Sequence, residues 1–172
     1  MSRIATKQAG FTLIEAMIWL TVTGLLLTAL VPLFSASIVS WHRSSSQSEV
    51  QQTARLAIDS MVRDLKFSRN ITKKNDNELS FIDSQGRQSG YRLNTNTHIL
   101  YNLLSNDNPQ PVTGVNIQKS ANVLIYGDYG ASKALFEVQG QTVFLHLTAV
   151  DTFTGQKIVV QTAVVGISEY LK

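Results

Sequence analysis

The chain has 172 residues, no cysteine, 44% apolar content, 16% charged content and a formal charge of +3. These numbers exclude a disulfide scaffold, a thiolate metal site and wholesale disorder. The length fits one domain or a domain with an appendage.

Charge is unevenly placed. Residues 1–70 hold seven Lys/Arg against four acids, whereas residues 71–172 hold eight of each sign. The basic excess therefore belongs to the first segment. A neutral C-terminal hundred residues argues against nucleic-acid binding as the main task.

From Phe11 to His42 the only Lys, Arg, Asp or Glu is Glu15. A helix of that length spans about 48 Å, and a bilayer core is about 30 Å thick. Arg3, Lys7 and the amino terminus precede the run, and Arg43 follows it. The positive-inside bias predicts a single pass with the N-terminus cytoplasmic and the rest outside. Trp41 stands where an interfacial aromatic is expected.

Three kinds of segment begin in this way. A cleaved secretory signal is consistent with Ser35-Ala36-Ser37, but the apolar run is long and contains Glu15. A plain anchor explains the length and has no use for Glu15. A carboxylate in a membrane helix costs about 2.5–3.5 kcal/mol on insertion scales, so it calls for a partner.

The third kind accounts for the acid. Gly10-Phe11-Thr12-Leu13-Ile14-Glu15, behind a short basic leader, resembles the processing site of type IV prepilins. The resemblance implies cleavage by a prepilin peptidase between Gly10 and Phe11, N-methylation of Phe11, and an assembly role for Glu15. It also places the family's helix proline at Pro32. It covers the leader and about thirty residues beyond it.

Cleavage would leave a cationic amine on Phe11. A subunit docked in register would bring such an amine to the Glu15 of its neighbour, so the desolvation cost of a lone acid becomes a register device. Pro32 lacks an N–H and clashes with the carbonyl four residues back, which predicts a kink or local melting between Thr28 and Pro32.

Beyond Trp41, Ser46-x-x-Glu49 has capping-box spacing. It marks either a helix restart or a polar stretch of one long helix. Val50, Ala54, Ala57/Ile58, Met61 and Leu65 recur at three- and four-residue steps, which predicts a helix with one apolar stripe. Arg55, Asp59 and Arg63 fall on another, solvated face. Loss of the pattern at 70–77 ends the helix. The stretch Ala54–Leu65 also resembles the second half of this helix in the J-type pseudopilins of type II secretion and the W-type minor pilins of type IV pili.

Residues 78–172 read as strands and turns. Strands are predicted at 78–83, 90–93, 122–126, 134–138, 142–150 and 157–167. Ser84-Gln85-Gly86-Arg87 reads as a turn, and residues 151–156 as a hairpin loop. His98–Leu104 is ambiguous between strand and helix, and 106–111 is a loop by composition. The prediction is an α+β fold: one long N-terminal helix, membrane half plus amphipathic half, followed by an antiparallel β-sheet head. The segments are a leader at 1–10, a membrane or filament-core helix at 11–41, its amphipathic continuation at 42–70, and a head at 71–172.

No catalytic pattern is present. His42, His98 and His146 are scattered without ligand-like neighbours, and Gly127-Asp128-Tyr129-Gly130 is neither a P-loop nor a dinucleotide fingerprint. Asp128 and Asp151 are isolated acids, so neither metal nor cofactor is expected. The resemblance implies a structural subunit that initiates or caps a type IV pilus or type II secretion-like filament. Its partners would be other pilins or pseudopilins, the prepilin peptidase, an inner-membrane assembly platform, and membrane lipid before assembly. A competence subunit for DNA uptake and a signal-anchored binding domain without a filament are the alternatives.

Overall fold

The computed structural model describes residues 11–104, 108–114, 122–127 and 134–166. The chain divides into two compact units, residues 1–42 and 43–172. One helix, α1 (Leu13–Lys66), runs through the boundary between them without a break. Ser46 and Glu49 lie inside it, so their capping-box spacing marks a polar stretch of one helix and not a restart.

In the second unit, Val50, Ala54, Ala57, Ile58, Met61 and Leu65 of α1 are all buried. This is the stripe expected from a 3.6-residue period. Arg55, Asp59 and Arg63 are exposed. The stripe includes two alanines, Ala54 and Ala57.

Among the described residues the strands form two antiparallel sheets. The first is a meander in chain order: β1 (Arg69–Asn75), β2 (Glu78–Ile82), β3 (Gln88–Leu93), β4 (Leu100–Leu103) and β5 (Pro109–Pro111). The second contains β6 (Val123–Tyr126), β7 (Phe136–Gln139), β8 (Thr142–Asp151) and β9 (Lys157–Val165). β8 is its spine. β9 pairs along nearly all of it, while β6 and β7 share its other edge, pairing with its second and first halves.

Leu79, Phe81, Tyr91, Leu93 and Leu100 of the first sheet meet Val143, Leu145, Leu147 and Ala149 of the second in one core over the α1 stripe. Alternation along β8 directs those four residues inward, as a half-buried strand requires. Among the described residues three backbone bonds tie the sheets together. The Leu135 and Phe136 N–H groups donate to the Asp76 carbonyl at 3.0 and 3.4 Å, and the Ile125 N–H to the His98 carbonyl at 2.9 Å. His98 accepts this role with a left-handed backbone (φ 53°) and its ring stacked 4.1 Å from Tyr126.

Three features depart from the sequence reading. The helix ends at Lys66, before the pattern is lost, and the chain enters β1 at Arg69, ahead of the expected head boundary at 71. The Ser68 hydroxyl closes the helix by donating to the Leu65 carbonyl at 2.8 Å. Pro109–Pro111, expected as loop, is the edge strand β5. An edge tolerates proline because one side of the strand needs no N–H. The ambiguous stretch at 98–104 resolves as β4.

The turns follow their chemistry. Gly86 takes φ 78° in the β2–β3 turn. Asp83 Oδ1 there accepts the N–H groups of Gln85 and Arg87, both at 2.8 Å. Those donors and the Arg87 side chain hold the Asp83 carboxyl below its ordinary range.

Candidate functional site

The first unit is built from Phe11 onward. Phe11 and Thr12 precede the helix, and Leu13 is its first residue. Thr12 is the N-cap: its carbonyl accepts the Ala16 N–H at 3.2 Å and its hydroxyl accepts the Glu15 N–H at 3.4 Å. Thr12-x-x-Glu15 thus has the spacing of a capping box, a local signal the sequence reading passed over. Phe11 is 78% exposed and lies ahead of the first helical turn. Gly10 lies outside the described residues.

Glu15 sits in the first turn of α1, where a carboxylate complements the positive end of the helix dipole. From Leu13 to Trp41 the large apolar side chains are exposed, among them Ile14, Ile18, Leu25, Leu30 and Phe34. By length and composition this helix can cross a membrane.

Four hydroxyl side chains inside the apolar run are satisfied within the helix. Thr21 donates to the Met17 carbonyl at 2.8 Å, Thr28 to Leu25 at 2.8 Å, Ser35 to Val31 at 3.0 Å and Ser37 to Leu33 at 2.9 Å. Each of these hydroxyl protons therefore needs no water, as a lipid environment demands. Pro32 lies inside α1, and the helix continues through it without melting. The proline removes the N–H that would otherwise reach the Thr28 carbonyl.

Charged and polar groups of the second unit are used structurally. Asp151 is buried at the end of β8. Burial alone would raise its carboxyl, but the Thr154 hydroxyl and N–H, the Phe153 N–H and the Ser46 hydroxyl together hold it below the ordinary range. The Thr154 hydroxyl donates to Asp151 Oδ2 at 2.5 Å and its N–H donates to the same atom at 2.7 Å. Asn122 Nδ2 donates to Glu49 Oε1 at 3.3 Å. Ser46 and Glu49 are thus the helix's polar handles for the sheet. Arg92 beside Glu78, with Lys74, holds the Glu78 carboxyl below its usual range against the opposing effect of burial.

The three histidines stay apart. His42 meets the Trp41 ring, His98 stacks on Tyr126, and His146 Nε2 lies 3.7 Å from Glu137. Among the described residues no cluster of three or more His, Asp or Glu side chains could hold a metal ion. Asp128 lies outside the described residues. The sequence-predicted Phe11, Glu15 and Pro32 share one exposed segment, distinct in sequence from every polar cluster of the head.

Residues 5–31 match the prokaryotic N-terminal methylation motif. No curated protein and no solved structure matches the chain. The matched residues include the cap at Thr12, Glu15 and most of the apolar run. Taken with one long N-terminal helix leading into antiparallel sheets, the motif is consistent with a type IV pilin-like protein of α+β architecture.

Proposed function

We propose that the chain is a minor pilin or pseudopilin. It is made as a single-pass membrane precursor with its N-terminus cytoplasmic and its head outside. A prepilin peptidase cuts it between Gly10 and Phe11 and methylates the new amine of Phe11. The product joins a filament or tip complex of a type IV pilus or type II secretion-like machine through an inner-membrane platform. Its residues act as leader (1–10), filament-core helix (11–41), helix continuation (42–70) and head (71–172).

The observation that carries this reading is a single carboxylate, Glu15, in the first turn of α1 and alone among Asp, Glu, Lys and Arg in the apolar run 11–42. A neighbouring subunit's amine is the group that would neutralise it, and only one register does so. Bending at Pro32 would then adjust the helix to a crowded filament core. The likeness of Ala54–Leu65 to J-type and W-type subunits supports a position at or near the tip, where assembly starts.

Mass spectrometry of the native N-terminus tests the processing step. A methylated Phe11 is expected. An intact Met1 would establish a plain anchor, and a start near Ile38 a secreted protein. Glu15→Ala and Glu15→Val test the register. Both variants should insert normally yet enter the assembly poorly, and normal incorporation would remove Glu15 from the mechanism.

A further inference from the structure

Among the described residues the edges of the two sheets are finished differently. In the first sheet β1 carries Lys73, Lys74 and two register shifts, and β5 carries Pro109 and Pro111. Such features stop an edge from pairing with another chain. In the second sheet β6 and β7 are only four residues each. The remaining edge, β9, has none of these protections. It is nine residues long, holds an unbroken register with β8 and contains no proline. From Ile158 to Gly166 it carries no charge.

The ladder fixes which way this backbone faces. The Gly166 N–H donates to the Gln141 carbonyl at 3.5 Å, and the Asp151 N–H to the Gln156 carbonyl at 2.8 Å. Even-numbered residues of β9 therefore turn their N–H and C=O groups to β8. Val159, Gln161, Ala163 and Val165 turn theirs outward, where no described strand meets them. Val159 and Val165 are 52% and 48% exposed. On the core side Ile158 and Val160 pack against the cluster yet remain only partly buried, whereas their β8 partners Ala149 and Leu147 are fully buried. The core is thinnest along this edge, and one more strand would close it.

The β8–β9 hairpin runs back along the head's share of α1. Its open end lies beside the helix C-terminus: a Cβ on Gly166 would stand 3.3 Å from the Ser68 carbonyl. Its closed end lies beside Ser46, whose hydroxyl reaches Asp151. The lengths agree. Ten residues of β8 cover about 30 Å, and the helix from Ser46 to Leu65 rises about 29 Å. β9 thus runs in the same sense as this part of α1. A second copy pairing its own β9 antiparallel to this one would reverse its helix against the first. Heads in a polar filament share one sense, so the occupant is a different strand.

We propose that β9 is an assembly edge, which takes up one antiparallel strand from a different subunit of the filament. The outward N–H and C=O groups of residues 159–165 would extend the ladder, which supplies the affinity. The incoming strand is uncharged, because the edge offers no counter-charge from Ile158 onward and a charge enclosed there would be desolvated without a partner. Its core-side residues are apolar, to cover Ile158 and Val160. The inference rests on the filament reading, and the test separates the two.

Hydrogen exchange resolved by residue would be read on the full chain alone in detergent micelles and in filaments sheared from producing cells. In the free chain the amides of Val159, Gln161, Ala163 and Val165 should exchange fast, and those of Val160 and Thr162 slowly. In the filament the four fast amides should slow by about tenfold or more. Val159→Lys and Gln161→Pro leave every β8–β9 bond in place, so their denaturant midpoints should match the parent. Their share of the filament should fall by about tenfold. Filaments that contain the chain with these amides still fast, or that take both variants as readily as the parent, overturn the proposal and leave the filament reading standing. Slow exchange at the four positions in the free chain also overturns it, because the edge is then closed within the subunit. A chain absent from every filament overturns both. The chain has no cysteine, so Gln161→Cys reports on a second copy: chains that join one another through this thiol overturn the assignment to a different subunit.

Discussion

The Tyr91 hydroxyl, on a wholly buried ring of β3, donates a 2.5 Å hydrogen bond to Asp64 Oδ2 near the end of α1. It joins the first sheet to the helix by a polar contact at the margin of an apolar core. Burial, reinforced by the Asp64 carboxylate, pushes the phenol well above its ordinary value of 10.0. The neutral phenol is thus the form the fold selects.

A raised acid has a definite sign. The stability that neutral Tyr91 contributes is fully present below pH 10 and is lost as the pH climbs beyond it. Alkaline unfolding in detergent should therefore coincide with tyrosinate absorbance. Tyr91→Phe should lower stability at neutral pH by about 1–2 kcal/mol and make the alkaline limb shallower. Chemical denaturation across the alkaline range checks both.

Asp151 behaves in the opposite sense. Its carboxyl lies below the ordinary 3.8, so its contribution is present above that value and disappears as the pH falls through the folded-state value. Asp151→Asn keeps the shape and removes the charge that the loop donors and Ser46 surround. A loss of about 1–2 kcal/mol at neutral pH is expected. Thermal melts of the two proteins should converge as the pH falls below 3.8 and through the lower folded-state value of Asp151.

Gly90 on β3 faces the Leu79 backbone so closely that a Cβ would stand 2.5 Å from its carbonyl oxygen. Backbone cannot yield as a flexible side chain can. Gly90→Ala should cost about 1–3 kcal/mol, the range for overpacking. Exchange of the β2–β3 amides should rise, with little change in those of β8 and β9.

Two residues on different faces of α1 give a contrast. Met61 is fully buried, while Leu56 is 55% exposed. Met61→Ala should destabilise the head by about 2–5 kcal/mol through a cavity. Leu56→Ala should stay within about 0.5 kcal/mol. Denaturant midpoints measured side by side decide it.

What was legible in the sequence was local. The motif around Gly10–Glu15 is linear, and the α1 stripe repeats at helical spacing, so both stand out without a fold. Phe81, Leu145 and Leu147 could likewise be placed on strands. β1 could not, because Arg69–Asn75 is almost wholly solvent-facing and shows no apolar alternation. β5 could not, because Pro109 and Pro111 look like loop residues until an edge is available to hold them. Ser46–Asp151 and Glu49–Asn122 join positions far apart in the chain, which no local pattern signals. The division of the strands into two sheets depends on such long-range pairings as well.

The matched lengths of β8 and the head's share of α1 have a mechanical consequence. A pull on α1 from its amino-terminal end would load the boundary between helix and sheet in shear, across the whole stripe from Val50 to Leu65 at once. Contacts loaded in this way give way together and not one after another, so the head would resist extraction by tension better than its modest size suggests.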